Sequence, residues 1–529
     1  MDATNRQLWE RFRRHRWQDA DLGISLDLSR VDFDPTGPKP APAAALDAMQ
    51  ELEAGALANA DEQRMVGHYW LRAPELAPTE SLTEEIRAAV TAVERFARAV
   101  RRGELRGTGG PFSDVIHIGI GGSTVGPQLV CDALSDDDGP ITVHFLDNAD
   151  PDGVDRLLAR LDGRLDRTLV SMVSKSGWTP TPNQVLTEVE AAYERAGVPF
   201  ARHAVATTVP GSELDRRAQE HEWLARFPMW DWVGGRTSVT SAVGLLPAAL
   251  AGADPRALLD GAAAMDRCTR KRHENPALQL ALAWHRLGDG RGRRNMVVLP
   301  YKDRLALLPR HVQQLVMESV GKAHDRAGRR VHQGLTVYGH KGSTDQHSYL
   351  QQLRDGPDDV FVVFVHVRAD RHGPSIEVAP GLTLGDHLFG HLEGTRDALW
   401  ERGRQSITIS IPSVDARSVG ALIALFERAV GLYAELIDVN AYHQPGVDKA
   451  AAASVVELQA EVVAHLAAAG EPCDAEQIAD AIGRPERTET VYKILERLAA
   501  DPTRGVELLP GSLPLAERYR LRVAAEAPA

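Results

Sequence analysis

The segment Val115-Ile116-His117-Ile118-Gly119-Ile120-Gly121-Gly122-Ser123 is an apolar run that ends in a glycine turn, and helix-forming residues follow it from Gln128 to Leu134. A buried strand that passes through such a turn into a helix is typical of a parallel α/β sheet. The segment therefore predicts an α/β fold. Its glycines also let backbone N–H groups approach an anion closely, although a glycine turn alone is more often a tight connection without a ligand.

The same alternation of short apolar runs and longer helical stretches occurs twice along the chain. A helical region rich in alanine and leucine, from Ser241 to Leu287, separates the two occurrences. The pattern predicts two α/β domains, each built on a parallel sheet. The other runs interpreted as strands are Ile141 to Leu146, Thr168 to Val173, Ala204 to Thr208, Met296 to Pro300, Val360 to Val367 and Ile407 to Ile411.

The predicted boundaries divide the chain into four parts. They are a helical N-terminal segment packed on the first domain (1–90), a first α/β domain (91–270), a second α/β domain (271–465) and a C-terminal helical module (466–529). The module is similar to a helix-turn-helix with a wing. Residues 474–505 carry seven acidic and five basic side chains. An acidic unit grips phosphates poorly, so packing or oligomerisation is favoured over DNA reading.

Composition sets the broad class of the protein. The chain has 529 residues, 43% of them hydrophobic, and a formal net charge of −13. That charge disfavours nucleic acid and anionic membranes as partners. The three cysteines are far apart and lack metal-ligand spacing. The amino end has no apolar leader, and no apolar run reaches a membrane-spanning length. We therefore expect a cytoplasmic protein.

Four polar segments supply chemistry that core packing does not explain. The loop Ser174-Lys175-Ser176-Gly177-Trp178-Thr179 adds three hydroxyls and an ammonium at the end of a predicted strand. Arg236 follows two glycines, where a guanidinium can stabilise a developing oxyanion or form a structural ion pair. Glu318, in Met317-Glu318-Ser319-Val320-Gly321-Lys322, is placed like a base, and His347 lies in a polar, turn-rich loop. With the glycine turn, these groups suit proton transfer on a phosphorylated sugar.

A further cluster, Asp386, His387, His391 and Glu393, has histidines four residues apart. That spacing also occurs on metal-binding helices, but no second cluster accompanies it. We interpret it as a solvated helix face, and the sequence predicts no metal.

In order along residues 110–465, these segments closely resemble the glucose-6-phosphate isomerase family. Three more stretches have counterparts there: Trp230 to Arg236, Gln313 to Ser319 and Gln444-Pro445-Gly446-Val447. The resemblance implies two sugar-isomerase α/β domains, a homodimer, no cofactor and a hexose 6-phosphate substrate. It also implies interconversion of glucose 6-phosphate and fructose 6-phosphate.

The resemblance assigns a role to each candidate residue. Glu318 is the base that moves the proton between C2 and C1, and Arg236 stabilises the cis-enediolate. His347 opens the sugar ring, assisted by a lysine after Gly446-Val447. Gln314 binds the substrate. The residues implied at the phosphate are Gly122, Ser123, Ser174, Lys175, Ser176, Thr179 and Gln444.

Three departures from the family pattern affect these roles. Asp448 alone separates Val447 from Lys449, and Ala451 stands at the family spacing. Either a short deletion places Lys449 in the ring-opening role, or the role is vacant.

The second departure is Thr181, which stands where the family has a glutamate that orients the catalytic histidine. Threonine lacks that charge, so Asp345 substitutes for it or ring opening is slow. Thr237 and Thr124 replace an aromatic and an acidic residue, which we expect to alter packing or loop geometry rather than the reaction class.

Two alternatives to a strict glucose-6-phosphate isomerase remain. One is relaxed specificity that includes mannose 6-phosphate. The other is a non-catalytic sugar-phosphate-binding regulator that signals through the C-terminal module.

Overall fold

The computed structural model describes residues 5–33, 42–446, 449–511, 515 and 517–522. The chain divides into two compact units, with the division between His443 and Gln444. The first unit contains one parallel and one mainly parallel sheet, which confirms the predicted α/β class.

The first sheet has five strands, all parallel, within the described residues. The strand that precedes the glycine turn, Asp114–Ile118, is second in the sheet and buried throughout. Its carboxyl end therefore lies beside the ends of two neighbours, which is where open α/β sheets bind ligands. In spatial order the strands are Thr142–Leu146, Asp114–Ile118, Thr168–Val173, Ala204–Thr208 and Ala225–Pro228.

The second sheet has six described strands, four of them parallel. The other two come from the N-terminal segment and pair antiparallel with each other, and Ile24–Arg30 also pairs antiparallel with Ser406–Ile411. The N-terminal segment, which was expected to be helical and to pack on the first domain, therefore contributes two strands to the second sheet in addition to its helices. In spatial order the strands are Arg16–Asp19, Ile24–Arg30, Ser406–Ile411, Val360–Val367, Asn295–Pro300 and Val337–Tyr338.

Helices cover both sheets and fill the space between them. Gly261 and Gly420 bring two of these helices very close, since a Cβ on either would lie 1.9 Å from a backbone oxygen of the other helix. The helices of the first unit are Asn5–Arg14, Pro42–Glu53, Glu80–Arg101, Val125–Leu134, Pro151–Arg160, Pro180–Arg195, Glu213–Glu220, Ala242–Leu250, Pro255–Thr269, Pro276–Leu287, Leu308–Val320, Leu350–Asp355, Leu384–Glu401 and Ala416–Leu436.

The second unit is a small helical module with its own core. Helix Lys449–Ala468 packs with Ala475–Ala481 and Thr488–Ala500, and the hairpin Val506–Leu509/Arg518–Leu521 closes the core. This arrangement confirms the predicted helix-turn-helix with a wing. The predicted boundary placed most of helix Lys449–Ala468 in the second α/β domain. In the structure, Leu458, Val462 and Leu466 of this helix belong to the core of the module.

A buried ion network joins distant parts of the first unit. Arg72 donates to Asp266 at 2.6 Å and to Glu427, and Arg428 donates to Asp266 at 3.1 Å and to Glu53. Arg270 pairs with Glu53 at 2.9 Å and makes the charges of the network balance. Burial raises the pKa of the Asp266 carboxyl, but Arg72 and Arg428 outweigh burial and hold that pKa below its usual range.

No helix among the described residues is long and apolar enough to cross a membrane.

Replacing Asp266 tests the network. Asp266→Asn leaves Arg72 and Arg428 buried without a shared counter-charge, so we expect the free energy of unfolding to fall by about 3–5 kcal/mol. Asp21→Asn is the control, because Asp21 pairs with Arg417 at the surface at 2.7 Å, and its loss should cost less than about 1 kcal/mol. Urea denaturation measures both, and equal losses would contradict the assignment.

Candidate active site

The glycine turn at the end of strand Asp114–Ile118 packs directly on a second turn. Gly121 has a φ of +58°, and a Cβ on Gly122 would lie 2.0 Å from the carbonyl oxygen of Gly235. The Ser238 hydroxyl donates to both turns, to Gly235 O at 2.7 Å and to Gly122 O at 3.3 Å. The two backbones therefore meet with no room for a side chain, and this contact places Arg236, the next residue, beside the turn.

The loop after strand Thr168–Val173 uses its hydroxyls to shape itself. Ser174 is buried, and its Oγ accepts from the Gly177 N–H at 3.1 Å. Ser176 is exposed, and its Oγ accepts from the Trp178 N–H at 3.2 Å. Both oxygens act as acceptors, so each hydroxyl hydrogen can still be donated. Thr179 precedes helix Pro180–Arg195 and forms no side-chain capping bond among the described residues.

Lys175 ties this loop to the stretch that leads to Arg236. Its Nζ donates to Asp231 O at 2.7 Å and to Val233 O at 3.3 Å. The lysine thus holds the ends of two strand-following segments of the first sheet together. Its ammonium adds positive charge at this edge of the sheet.

Arg236 and Glu318 form the centre of the site. Arg236 is buried, and its Nε lies 3.3 Å from Glu318 Oε2. The other carboxylate oxygen of Glu318 accepts from Gln314 Nε2 at 3.0 Å. Gln314 and Glu318 are four residues apart on helix Leu308–Val320, which we call the base helix. A Cβ on Gly121 would lie 3.4 Å from Gln314 Nε2, so the base helix also borders the glycine turn.

The surroundings of Arg236 are polar although the residue is buried. Its Nη1 donates to Ala441 O at 3.1 Å and to Ser319 Oγ at 3.3 Å, and its Nη2 donates to His443 O at 3.4 Å. Burial lowers the pKa of the Arg236 guanidinium, and the Glu318 carboxylate opposes that shift. The arginine stays charged because its ordinary pKa is so high.

Two threonines that depart from the family pattern close their own turns. The Thr237 hydroxyl donates to Gly234 O, and the Thr124 hydroxyl donates to Gly121 O, both at 3.2 Å. Both residues are buried. They act on loop geometry, in agreement with the expectation from the sequence.

His347 lies in a different part of the first unit. It is exposed at the end of the turn Asp345–His347, and the neighbouring Gln346 donates to His391 O at 3.1 Å. Asp345 is buried and accepts from the His340 N–H at 3.0 Å and from the Tyr349 hydroxyl. No hydrogen bond joins Asp345 to the His347 ring within the described residues, so Asp345 does not replace the missing glutamate as its orienting partner.

Two predicted residues fall in the second unit. Gln444 is exposed at its start, and Lys449 begins helix Lys449–Ala468. Val447 and Asp448, like the Lys449 side chain, lie outside the described residues.

The site in the first unit therefore comprises Gly122, Ser123, Arg236, Gln314 and Glu318, with Lys175 linking the loop of Ser174, Ser176 and Thr179.

The sequence reasoning missed three polar residues close to Arg236 and Glu318. Lys322 is buried and donates from Nζ to Glu318 O and Ser319 O, both at 2.8 Å. The backbone oxygen of His443 accepts from the Arg236 guanidinium, and the ring Nδ1 of His443 lies 2.8 Å from Asp61 Oδ2. Lys322 could have been found, because it follows Gly321 directly after the base helix. Asp61 and His443 carry no pattern of their own.

The comparisons with known proteins agree with this geometry. A family model described as phosphoglucose isomerase matches residues 40–378. The chain belongs to the phosphoglucose isomerase family. It is similar to a glucose-6-phosphate isomerase of Synechococcus sp. (strain JA-3-3Ab), with 55% identity over 527 residues, 96% of this chain and 99% of the relative.

Other members of the family are also similar. A glucose-6-phosphate isomerase of Geobacter sp. (strain M21) is 53% identical over 513 residues, 95% of this chain and 97% of the relative. Among solved structures, a glucose-6-phosphate isomerase from Chlamydia trachomatis has a TM-score of 0.75 and 27% identity, covering 85% of this chain and 91% of that chain. The match in structure extends over most of both chains.

The contact between the two turns can be tested with one methyl group. Gly122→Ala would force Cβ against Gly235 O, so we expect a loss of about 1–3 kcal/mol in stability and a kcat/KM at least about tenfold lower. Gly390→Ala is the control, because a Cβ there has no neighbour within 4 Å. Thermal melts and a coupled isomerase assay measure both effects, and a Gly122→Ala protein that behaves like the control would contradict the packing argument.

Proposed function

We propose that this member of the phosphoglucose isomerase family interconverts glucose 6-phosphate and fructose 6-phosphate by moving a proton between C2 and C1 through a cis-enediolate. It is an aldose–ketose isomerase. The observation that carries the proposal is the Glu318 carboxylate, held by Gln314 on one oxygen and by Arg236 on the other, beside a glycine turn. A positioned carboxylate next to a buried cation suits proton abstraction from a carbon beside a carbonyl.

The three central residues have different chemical tasks. Glu318 takes the proton from C2 and returns it at C1, while Arg236 balances the negative charge of the enediolate. Gln314 holds the carboxylate in place. Its hydrogen bond to Glu318 supports this orienting role, and the family resemblance also assigns Gln314 to the substrate.

The phosphate is assigned to the carboxyl edge of the first sheet. The hydroxyls of Ser174, Ser176 and Thr179 donate to it, with Lys175 supplying charge and Gly122 and Ser123 supplying backbone N–H groups. Gln444, from the second unit, is assigned to the same group by the family resemblance.

Ring opening is assigned to His347, with Lys449 as its assistant if the short deletion has moved that lysine into the role. The exposed His347 ring is accessible to a substrate. On the family resemblance we also propose a homodimer that acts in the cytoplasm, without metal or cofactor, and that does not bind nucleic acid. Acceptance of mannose 6-phosphate is a further proposal.

The role of Glu318 predicts a specific loss. Glu318→Gln keeps the size and polarity of the side chain but cannot accept the proton, so exchange of the C2 proton with solvent should fall by at least about 10³-fold while binding of fructose 6-phosphate persists. The exposed Glu401→Gln is the matched control. NMR of the C2 proton in D₂O measures the exchange, and unchanged exchange in Glu318→Gln would remove Glu318 from the mechanism.

If the reaction needs no metal ion, the enzyme should remain active in the presence of a chelator. Purified protein with EDTA should convert glucose 6-phosphate to fructose 6-phosphate as fast as protein without it, because the proposed proton transfer uses Glu318 and Arg236 and no metal ion. Tight binding of the sugar phosphate without turnover in either condition would instead favour the regulator, which signals through the C-terminal module.

A further inference from the structure

The last turn of the base helix has an unusual end. The helix ends at Val320, so Glu318 lies in the turn whose carbonyls have no partner within the helix. Met317 O accepts from the Gly321 N–H at 3.0 Å, which is an ordinary termination. The next two carbonyls, those of Glu318 and Ser319, both accept from the Lys322 ammonium at 2.8 Å. One side chain therefore closes the turn that carries the proposed base.

Keeping a lysine in this place is costly. The Lys322 side chain is almost fully buried, and burial together with the nearby Arg236 charge lowers the pKa of its ammonium to about 8. The carboxylates of Glu318 and Asp61 oppose that shift. A helix end needs no buried cation, because backbone or water can satisfy its carbonyls. The position of Lys322 therefore calls for an explanation other than helix termination.

The two residues whose carbonyls Lys322 binds are the ones whose side chains touch Arg236. Glu318 approaches Arg236 Nε, and the Ser319 hydroxyl accepts from Arg236 Nη1. A change in the last turn would therefore move the base and its cation at once. The hydrogen bonds that Lys322 donates within the described residues go to backbone oxygens of this turn.

We infer that Lys322 is a positioning residue for the isomerase reaction, holding the last turn of the base helix so that Glu318 faces Arg236 and the substrate in one fixed geometry. The inference rests on the proposed function, in which Glu318 is the base. It assigns Lys322 to kcat and not to substrate binding.

Lys302 provides a matched control elsewhere in the first unit. Its Nζ also donates to two backbone carbonyls, those of Ala369 at 2.9 Å and Asp370, and burial also lowers the pKa of its ammonium. These carbonyls follow strand Val360–Val367 of the second sheet. Lys302→Met therefore removes a corresponding pair of hydrogen bonds from a lysine to backbone carbonyls, and it leaves the base helix unchanged.

The experiment compares Lys322→Met, Lys322→Gln and Lys302→Met in the full-length protein. For Lys322→Met we expect kcat to fall about 10²-fold with KM changed less than about threefold, since a displaced base costs about this much. Lys322→Gln keeps one amide donor and should recover about tenfold of that loss. Lys302→Met should keep kcat within about threefold of the parent, and thermal melts should show that all three variants are folded.

A pH profile adds a readout that a merely structural lysine would not move. The groups that face Lys322 are Arg236, Glu318, Asp61 and His443. The parent kcat/KM should fall as the pH rises through about 8, where Lys322 loses its proton, and Lys322→Gln should lack this decline because it has no proton to lose.

Two results would overturn the inference: a kcat loss in Lys322→Met no larger than that in Lys302→Met, or a decline near pH 8 retained in Lys322→Gln. Failure of the proposed function is a separate result, because it appears as unchanged exchange in Glu318→Gln whatever the lysine variants do.

Discussion

The buried network around Asp266 is the interaction on which the rest of the first unit depends. Three arginines and three carboxylates lie where water cannot reach most of them, and buried charges are tolerated only when they are paired and hydrogen-bonded. They come from helix Pro42–Glu53, the segment at Arg72, the end of helix Pro255–Thr269 and the long helix Ala416–Leu436. None of these elements can move away without leaving a charge unpaired, so they are held as one body. Arg428 also lies over the Tyr69 ring at 3.7 Å.

The network reaches the active site through a short piece of chain. Five residues before Arg72, the Gly67 N–H donates to Trp232 O at 3.1 Å, and Trp70 packs against the Trp232 ring at 5.2 Å. A Cβ on Gly67 would collide with both tryptophan rings. Trp232 precedes Arg236 by four residues. The ion pairs of Arg72 thus fix the segment that contacts Trp232. They thereby help to position the stretch that carries Arg236 beside Glu318.

The sequence predicted those parts of the molecule whose signal is local. Apolar runs ended by glycine or serine located most strands of both sheets, and Glu318 and Arg236 stood out beside their glycines. The strand Ile24–Arg30 was not predicted, although Ile24, Leu26 and Leu28 alternate with polar residues. Its polar face is buried too, because Arg396 pairs with Asp27 and Arg30 pairs with Asp397. Asp61 and His443 were missed for the same reason, since their partners are far away in sequence and only the fold brings them together.

The donors of Arg236 show how the charge of the site can stay constant through the reaction. A guanidinium has five N–H donors, and in the described part of the chain the Nη atoms of Arg236 donate to Ser319, Ala441 and His443, while Nε lies 3.3 Å from Glu318 Oε2. The group is therefore fixed before the substrate arrives. In the proposed mechanism Glu318 becomes neutral when it accepts the proton, and the enediolate acquires the negative charge that the carboxylate has lost. Arg236 then faces the same total charge in a new place, so the protein has little to reorganise at the moment of transfer. Lysine would serve less well in this position, because burial beside other cations lowers its pKa into the working range, whereas arginine keeps its proton throughout.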